Sequence, residues 1–336
     1  MTEDRIIISA SPHVHSDRTS KRIMYDVLIA LVPAFLVSLY VFGLQALTLT
    51  AVAVISCILF EYVIQKYLLK VPTTVEDGSA LITGILLAFN LPSSLPIWMI
   101  IIGSLVAIGV AKLSFGGLGH NIFNPALVGR VFLLVSFPAQ MTSWPTPFEN
   151  TSKWVDAITG ETTLGILKEG LLYGETMTTL TEKIPSMSEL FLGFTSGSAG
   201  EMSGLALILG GIYLLARKVI TWHIPITILV TMAVMTGIFW LVDPEIYANP
   251  IIHVLSGGAI LGAFYMATDL VTSPMTKKGM MVFSIGIAVI TVVIRLFGSY
   301  PEGISFAILI MNAFVPLIDR YFKPRRFGSQ IKAKIM

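Results

Sequence analysis

The chain has 336 residues, of which 54% are hydrophobic and only 12% are charged, with a mean hydropathy of +0.81. Soluble domains carry about a quarter charged residues, so this composition excludes an ordinary water-soluble globule and predicts an all-α, polytopic membrane protein. The net charge of +2 gives no basic footprint for nucleic acid. Cys57 is the only cysteine, which excludes an internal disulfide and a four-cysteine iron–sulfur site in this chain.

Ten apolar stretches are long enough, or nearly long enough, to cross a bilayer as helices. In chain order they are 23–43, 46–67, 79–92, 96–112, 120–137, 202–216, 222–242, 251–268, 279–297 and 303–319. The third, fourth and sixth are short, and Pro92 and Pro96 interrupt the connection between the third and the fourth. The pattern predicts about ten transmembrane helices, some of them short or broken.

The distribution of lysine and arginine predicts the orientation. With the N-terminus in the cytoplasm, 17 of the 22 basic residues, Lys112 among them, fall on the cytoplasmic side, and Arg130 and Arg295 fall within spans. The three on the other side are Lys153, Lys168 and Lys183. Both termini are therefore expected in the cytoplasm and the long central loop outside. The first 24 residues lack the apolar core of a signal peptide, so insertion is expected to begin with the first helix.

An internal repeat relates the two apolar halves of the chain. At an offset of 179 residues, segment 78–91 aligns with 257–270 through four identities, and Asn90 aligns with Asp269. Because the first copy is expected to run outward and the second inward, we predict two five-helix inverted repeats. The resulting segments are a cytoplasmic N-terminus 1–22, a first transmembrane repeat 23–137, an extracytoplasmic loop 138–201, a second repeat 202–319 and a basic cytoplasmic tail 320–336.

Four ionisable residues lie in predicted spans, where charge is costly and indicates function. Glu61 and Arg295 lie near span ends, so their side chains are expected to reach towards the interface. Asp269, with Asn90 as its counterpart, is the candidate for an ion or proton pathway, and a structural role as a half-helix cap stays open. The fourth is Arg130. The five histidines show no metal-ligand or haem-ligand spacing, so no metal site is predicted.

Two glycine-rich segments each admit two interpretations. Segment 115–126 contains three glycines before a predicted span; it is either a site where backbone closely approaches a ligand or a tight turn between helices. Segment 193–201 ends the outer loop with small residues and hydroxyls. It would either face a cofactor or enter the next helix with Ser198 or Glu201 as the cap.

The outer loop also holds the polar stretch 154–164, which contains three threonines and leads into a helix-like run. In one interpretation Asp156 is a turn residue and Thr162 is the N-cap of the following helix. In the other, Thr162 carries an esterified phosphate. The two are compatible, because a helix N-terminus accommodates a phosphate well, and the residues alone leave both open.

Several ordered motifs in this sequence resemble the RnfD/NqrB family over nearly the full length. Besides the 156–162 stretch they are Ser11-Pro12-His13 with 23–34, 115–119 with Asn121 and 123–126, Gly200-Glu201 with 209–211, and 267–269 with Ser273-Pro274. The 156–162 stretch matches Asp-x-x-Ser/Thr-Gly-x-Ser/Thr, the mark of flavin transferases, which attach FMN through its phosphate. The resemblance implies covalent FMN on Thr162, with Asp156, Thr159 and Gly160 as recognition positions.

Two positions depart from the family pattern. Glu161 stands where relatives usually have alanine, and Thr163 stands where they usually have proline. Glu161 adds a negative charge beside the phosphate, and Thr163 offers a second hydroxyl next to the acceptor. Spacing from Asp156 favours Thr162.

The resemblance further implies a membrane subunit of an ion-translocating electron-transport complex of the Rnf type, in the inner or plasma membrane of a prokaryote. Such a subunit would pass electrons between ferredoxin and NAD within the complex and couple them to Na⁺ or H⁺ transport, without catalytic residues of its own. Its partners would be a second FMN-bearing subunit, iron–sulfur subunits and a flavin transferase, and noncovalent riboflavin is a further implied cofactor. The alternative is a stand-alone channel or permease for small solutes with the same inverted repeat.

Overall fold

The computed structural model describes residues 19–148 and 159–324. The first half forms α1 (Ser20–Phe42), α2 (Leu44–Val63, continued by a π turn Ile64–Leu69), a 3₁₀ turn (Val75–Asp77), α3 (Ser79–Phe89), α4 (Ile97–Leu105, continued by the turns Val106–Val110 and Leu113–Phe115) and α5 (Pro125–Ser136). With 11 and 12 residues, α3 and α5 are shorter than a bilayer span. α3 ends at Phe89 with Asn90 as its C-cap, two residues before Pro92, which has no N–H to donate to a continuing helix.

The predicted outer loop is folded rather than irregular. It contains α6 (Pro138–Met141), β1 (Trp144–Pro145), β2 (Thr159–Gly160), α7 (Thr163–Leu172), α8 (Met177–Lys183) and α9 (Met187–Leu192). The two strands pair antiparallel, with Trp144 opposite Gly160. Leu164, Leu167, Leu180 and Leu190 from the three longer helices form a small apolar core.

The second half forms α10 (Gly204–Ala216), α11 (His223–Val242), α12 (Pro250–Leu255), α13 (Ala259–Leu261, continued by a π turn Gly262–Met266), α14 (Lys277–Phe297) and α15 (Ile304–Tyr321). The predicted span 251–268 is interrupted, because the chain breaks between α12 and α13. Gly257 and Gly258 adopt φ +63° and +68° at the break, a region that glycine enters without a Cβ clash.

Six helices in the described residues are long and apolar enough to cross a membrane, namely α1, α2, α4, α11, α14 and α15. Three further apolar helices, α3, α5 and α10, are shorter. The prediction of a helical, multi-pass membrane protein is confirmed. The count of ten spans and the inverted repeat stay predictions.

Small residues let the helices approach closely. A Cβ on Gly210 of α10 would lie 2.0 Å from the carbonyl oxygen of Ala30 on α1, and one on Gly84 of α3 would lie 2.7 Å from the Cα of Val54 on α2. Packing of this kind replaces the hydrophobic effect as the main source of helix association in lipid.

Candidate functional site

Thr162 lies immediately before α7, in an extended backbone conformation. Its hydroxyl accepts a hydrogen bond from the backbone N–H of Gly165 at 3.1 Å, so it is the N-cap of α7. The dipole of the same helix end favours a negatively charged group there. The cap is therefore compatible with a phosphate on this hydroxyl.

A cavity of about 240 Å³ opens beside Thr162. Its wall combines charged, aromatic and apolar side chains, among them Arg130, Leu134, Met141, Trp144, Tyr300 and Glu302. Glu161 also borders this cavity. The start of α7 can accept an anion beside Thr162, and the aromatic and apolar part of the wall can contact a planar, partly apolar ring.

Two contacts hold the backbone at the aromatic residues of this wall. Trp144 is held by the β1–β2 pairing, directly opposite Gly160. Gly160 in turn lies two positions before Thr162 in the chain. On the other side, the Lys168 ammonium of α7 donates to the carbonyl oxygen of Tyr300 at 2.8 Å. Partial burial lowers the pKa of Lys168. The sequence analysis did not single out Trp144. The feature that could have indicated it is an aromatic residue near the start of a polar loop.

A second, smaller cavity of about 20 Å³ also borders Thr162. Its wall is rich in hydroxyl and carboxyl groups, which come from Thr163, Thr195, Ser196, Glu201, Ser256 and Glu302. Thr162 borders both cavities, whereas Thr163 borders the smaller one. Two hydroxyls of the glycine-rich segment 193–201 therefore line the same small cavity as Thr162.

The same glycine-rich segment docks on the end of α3. The backbone N–H of Gly200 donates to Phe89 at 3.0 Å, and that of Ala199 donates to Leu91 at 3.1 Å. The N-cap of α10 is Ser203, whose hydroxyl accepts from the backbone of Ala206 at 3.2 Å. The interpretation of Ser198 or Glu201 as that cap is therefore wrong; Glu201 instead accepts from the Ser198 N–H at 3.3 Å and closes the preceding turn.

Substitution of Gly200 by alanine is expected to destabilise the protein by about 1–3 kcal/mol through overpacking. Its Cβ would lie 2.0–2.3 Å from three atoms of Phe89, which is fully buried. Gly197→Ala is the matched control, because its Cβ would come no closer than 3.6 Å to Glu201. We expect the thermal unfolding midpoint in detergent to fall for Gly200→Ala alone. Equal midpoints for the two variants would mean that the segment does not dock as described.

Arg130 links the first half of the chain to the second at the base of the larger cavity. Its guanidinium donates to the side-chain oxygen of Asn90 at 3.2 Å and to Ser305, and it forms an ion pair with Glu302. Arg130 is only 3% exposed. Glu302 lies just before α15 and was not singled out from the sequence, since its partner is 172 positions away.

Glu61 does not reach towards an interface as predicted. It is fully buried, and the Lys112 ammonium donates to its two carboxylate oxygens at 2.9 and 2.7 Å. Lys112 also donates to the hydroxyl of Ser79, the first residue of α3, at 2.7 Å. Lys112, which the charge distribution assigns to the cytoplasmic side, is therefore buried, and its charge is matched by a buried carboxylate.

Arg295 is likewise buried rather than interfacial. Its guanidinium donates to the carbonyl oxygens of His253, Ser256 and Gly257, the last two at 3.0 Å. These carbonyls lie at the C-terminal end of α12 and in the break that follows, where they have no helical partner. Arg295 thus stabilises the break.

Asn90 and Asp269 do not meet, and among the described residues no hydrogen bond joins them. Asn90 is held by Arg130, whereas Asp269 accepts from the Thr272 hydroxyl at 3.1 Å and from the backbone N–H of Val271 at 3.4 Å. Asp269 borders a separate, mainly apolar cavity of about 90 Å³ that also contacts Asn121. The two residues therefore have separate hydrogen-bond partners.

The glycine-rich segment 115–126 forms the turn between α4 and α5. Gly116, Gly117 and Gly119 adopt left-handed φ values of +111°, +91° and +92°. Asn124 is the N-cap of α5, and its side-chain amide also donates to the carbonyl oxygen of Met266 at 3.3 Å. The structure of this segment is therefore that of a tight turn between helices. The contact of the Asn124 amide with Met266 joins the two halves of the chain.

Part of the predicted flavin motif falls outside the described residues. Asp156 does so, and so do most of the N-terminal segment and the tail from 325 onwards. For Thr159 the structure describes the backbone only, as the partner of Pro145. Gly160 is described, and a Cβ there would lie 2.5 Å from the hydroxyl of Ser196. Its close contact with the second glycine-rich segment accounts for the absence of a side chain.

Comparison with known proteins identifies relatives along the whole chain. Residues 7–328 match the NQR2, RnfD, RnfE family. The RnfD subunit of the Na⁺-translocating ferredoxin:NAD⁺ oxidoreductase complex of Acetobacterium woodii is 47% identical, over 98% of this chain and 97% of the relative.

Two further relatives carry related names. The RnfD subunit of the proton-translocating ferredoxin:NAD⁺ oxidoreductase complex of Clostridium ljungdahlii is 43% identical, over 96% of both chains. The corresponding subunit of the ion-translocating oxidoreductase complex of Escherichia coli is 40% identical, over 96% of this chain and 98% of the relative. The predicted family resemblance is confirmed: the chain belongs to the NQR2, RnfD, RnfE family.

Proposed function

We propose that this chain is the membrane subunit of an Rnf-type, ion-translocating ferredoxin:NAD oxidoreductase complex and that it carries FMN covalently on Thr162. The relatives, which are named as the corresponding subunits of ion-translocating oxidoreductase complexes, support the first part. The cavity beside Thr162 is the observation that carries the second part.

The residues around Thr162 fit an FMN phosphoester. The start of α7 provides N–H groups and a favourable dipole for a phosphate. Arg130 contributes the buried cation of the cavity wall, while Trp144 and Tyr300 offer aromatic surfaces to a ring. Thr162 borders the cavity with room for a ring and Thr163 borders the cavity of about 20 Å³, which supports Thr162 as the acceptor.

When bound, FMN would supply one-electron redox chemistry that amino-acid side chains lack. The chain itself would orient the group and shield it from water. Glu161 borders the same cavity and would place a negative charge near the phosphate. Asp156 and Thr159 would serve the transferase during attachment rather than the mature cavity.

The proposal is tested by denaturing the protein purified from a host that has a flavin transferase. A covalent phosphoester survives denaturation, so the wild-type band should fluoresce as flavin after electrophoresis. A noncovalent flavin would be lost in the same step. A non-fluorescent wild-type band would contradict the flavin proposal and favour the alternative of a small-solute permease, which has no use for the 156–162 motif.

The membrane topology belongs to the same proposal. Ten spans in two inverted five-helix repeats would put both termini in the cytoplasm and the loop with Thr162 outside. Two matching features support the repeat. α3 follows the left-handed Gly78, and α13 follows the left-handed Gly258. A cation also donates to each of these helix starts: Lys112 donates to Ser79 at the start of α3, and Arg295 donates to the carbonyl oxygen of Gly257 just before α13.

Asp269 and Asn90 are the residues proposed for ion movement, at the broken ends of the two repeats. We expect Asp269→Asn to remove most of the Na⁺ or H⁺ transported per electron in proteoliposomes containing the complex. Asp243→Asn is the matched control, because Asp243 also accepts a backbone N–H two residues ahead, at 3.1 Å. Full transport per electron in Asp269→Asn would remove this carboxylate from the pathway.

The remaining parts of the proposal concern partners and a second cofactor. A second FMN-bearing subunit and iron–sulfur subunits would connect this flavin with ferredoxin and NAD. This chain cannot hold an iron–sulfur cluster by itself, because Cys57 is its single cysteine and is fully buried. A flavin transferase would act on Thr162. Noncovalent riboflavin in this chain stays a prediction of the family resemblance.

A further inference from the structure

Glu201 is a buried carboxylate in the wall of the 20 Å³ cavity beside Thr162. It is 9% exposed. Its Oε1 accepts the Ser198 N–H at 3.3 Å, whereas its Oε2 has no hydrogen-bond partner among the described residues. A Cβ on Gly258 would lie 2.5 Å from that oxygen, so the backbone of the α12–α13 break closes one side of the site.

Glu302, Arg130 and Arg295 interact electrostatically with Glu201, but none of them forms an ion pair with it in the described part of the chain. Glu302 is paired with Arg130, and Arg295 donates to backbone carbonyls. Glu201 therefore lies beside one like charge and two cations that are already engaged. An ionised carboxylate in this position would be desolvated without a direct partner, which is unfavourable.

We propose that Glu201 is a proton-binding site, with the small cavity as the space for the water that connects its unpartnered oxygen to the neighbouring hydroxyls. About 20 Å³ admits one water molecule. The hydroxyls of Thr195, Ser196 and Ser256 in the cavity wall can accept or donate to that water. Proton uptake converts the carboxylate to the carboxylic acid and changes no other bond.

The surrounding groups set the affinity of this site. Burial, followed by the negative charge of Glu302, raises the pKa of Glu201 to about 7. The positive charge of Arg130 and the hydrogen bond from Ser198 act in the opposite direction. The site therefore loses its proton as the pH rises through neutrality. The negative charge that remains on the carboxylate is partly offset by the nearby guanidinium groups.

The shared wall links this proton to the group on Thr162. Added negative charge at Thr162 would strengthen proton binding at Glu201 by Coulomb attraction, and its removal would weaken it. This linkage, unlike the proton site itself, rests on the proposed flavin function. The electron would come from the donor subunits of the complex and the proton from water.

Infrared difference spectra of the purified complex between pH 6 and pH 8 test the proton site. We expect one protonated-carboxyl band to disappear as the pH rises through about 7 in the wild type, and to be absent at both pH values in Glu201→Gln. The glutamine is uncharged and similar in shape, as is the protonated side chain, so the variant should fold. Glu169→Gln, which removes an exposed carboxyl beside the larger cavity, should retain the band.

Further outcomes decide among the alternatives. Glu302→Gln should lower the midpoint of the Glu201 band, because the charge of Glu302 raises the pKa of Glu201. Absence of a wild-type band, persistence of the band in Glu201→Gln, or its displacement by Na⁺ at constant pH would each overturn the proposal. The last result would identify a monovalent-cation site instead.

The linkage has its own measurement. In the flavin-bearing complex, the midpoint potential of the covalent flavin should depend less steeply on pH in Glu201→Gln than in the wild type. An unchanged slope would overturn the linkage. The Thr162→Val complex separates this from the flavin proposal, because the carboxyl band should remain there without any flavin. A non-fluorescent wild type with an intact band would therefore refute the flavin and leave the proton site standing.

Discussion

Replacement of Thr162 by valine is expected to abolish covalent flavin, whereas replacement of Thr163 by valine should leave it intact. Valine keeps the branched shape and removes the hydroxyl that would form the phosphoester. Both side chains are buried, to 9% and 5% exposure, but Thr162 borders the cavity of about 240 Å³. Flavin fluorescence per unit of denatured protein, with the mass of the tryptic peptide, measures the result.

Thr162→Ser is the matched rescue variant. It retains the hydroxyl, both as acceptor of the phosphate and as N-cap, so it should keep the flavin. Loss of the cap in Thr162→Val is expected to cost about 1 kcal/mol, so the thermal midpoint of each variant must be compared. Flavin retained in Thr162→Val and lost in Thr163→Val would move the attachment to the neighbouring residue.

The second large effect is expected at the buried ion pair between α2 and α4. Lys112→Met should lower the free energy of unfolding by about 3–5 kcal/mol, because it leaves the Glu61 carboxylate buried without its charge partner. The two side chains are 2% and 0% exposed. Denaturant titration in detergent micelles gives the change in unfolding free energy.

Two further variants isolate the cause. Adding Glu61→Gln to Lys112→Met should recover much of the loss, because the uncompensated charge is then removed. Lys183→Met breaks an exposed pair with Glu175, in which Lys183 is 55% exposed, and should change stability little. A Lys112→Met protein as stable as the Lys183→Met protein would show that water or an ion reaches Glu61.

Hydropathy located the six long apolar helices of the described residues, because a bilayer span requires a long apolar run. It could not place the break at 256–258, since the residues on either side remain apolar. The break depends on two left-handed glycines and on the Arg295 guanidinium from another helix. Local sequence contains the glycines but not the distant donor.

The count of lysines and arginines predicts an orientation for the whole chain, but it does not predict the partner of an individual residue. Lys112 and Glu61 are 51 positions apart, and no helical spacing connects them, so each was interpreted alone. The motif around Thr162 was found from its residue types and order. The aromatic residues of the cavity wall, Trp144 and Tyr300, were not found from the sequence. They approach Thr162 only through a two-residue strand pairing and one lysine contact.

The burial of Thr162 has a consequence for biogenesis under the proposed modification. With 9% of its surface exposed and its hydroxyl engaged with Gly165, the folded loop gives an enzyme little access to the acceptor. The transferase would therefore act while α7 is still undocked, and closure of the loop would follow attachment. A chain whose loop closes before attachment would then be modified only when α7 undocks again, so the rate of local opening would limit late flavin attachment.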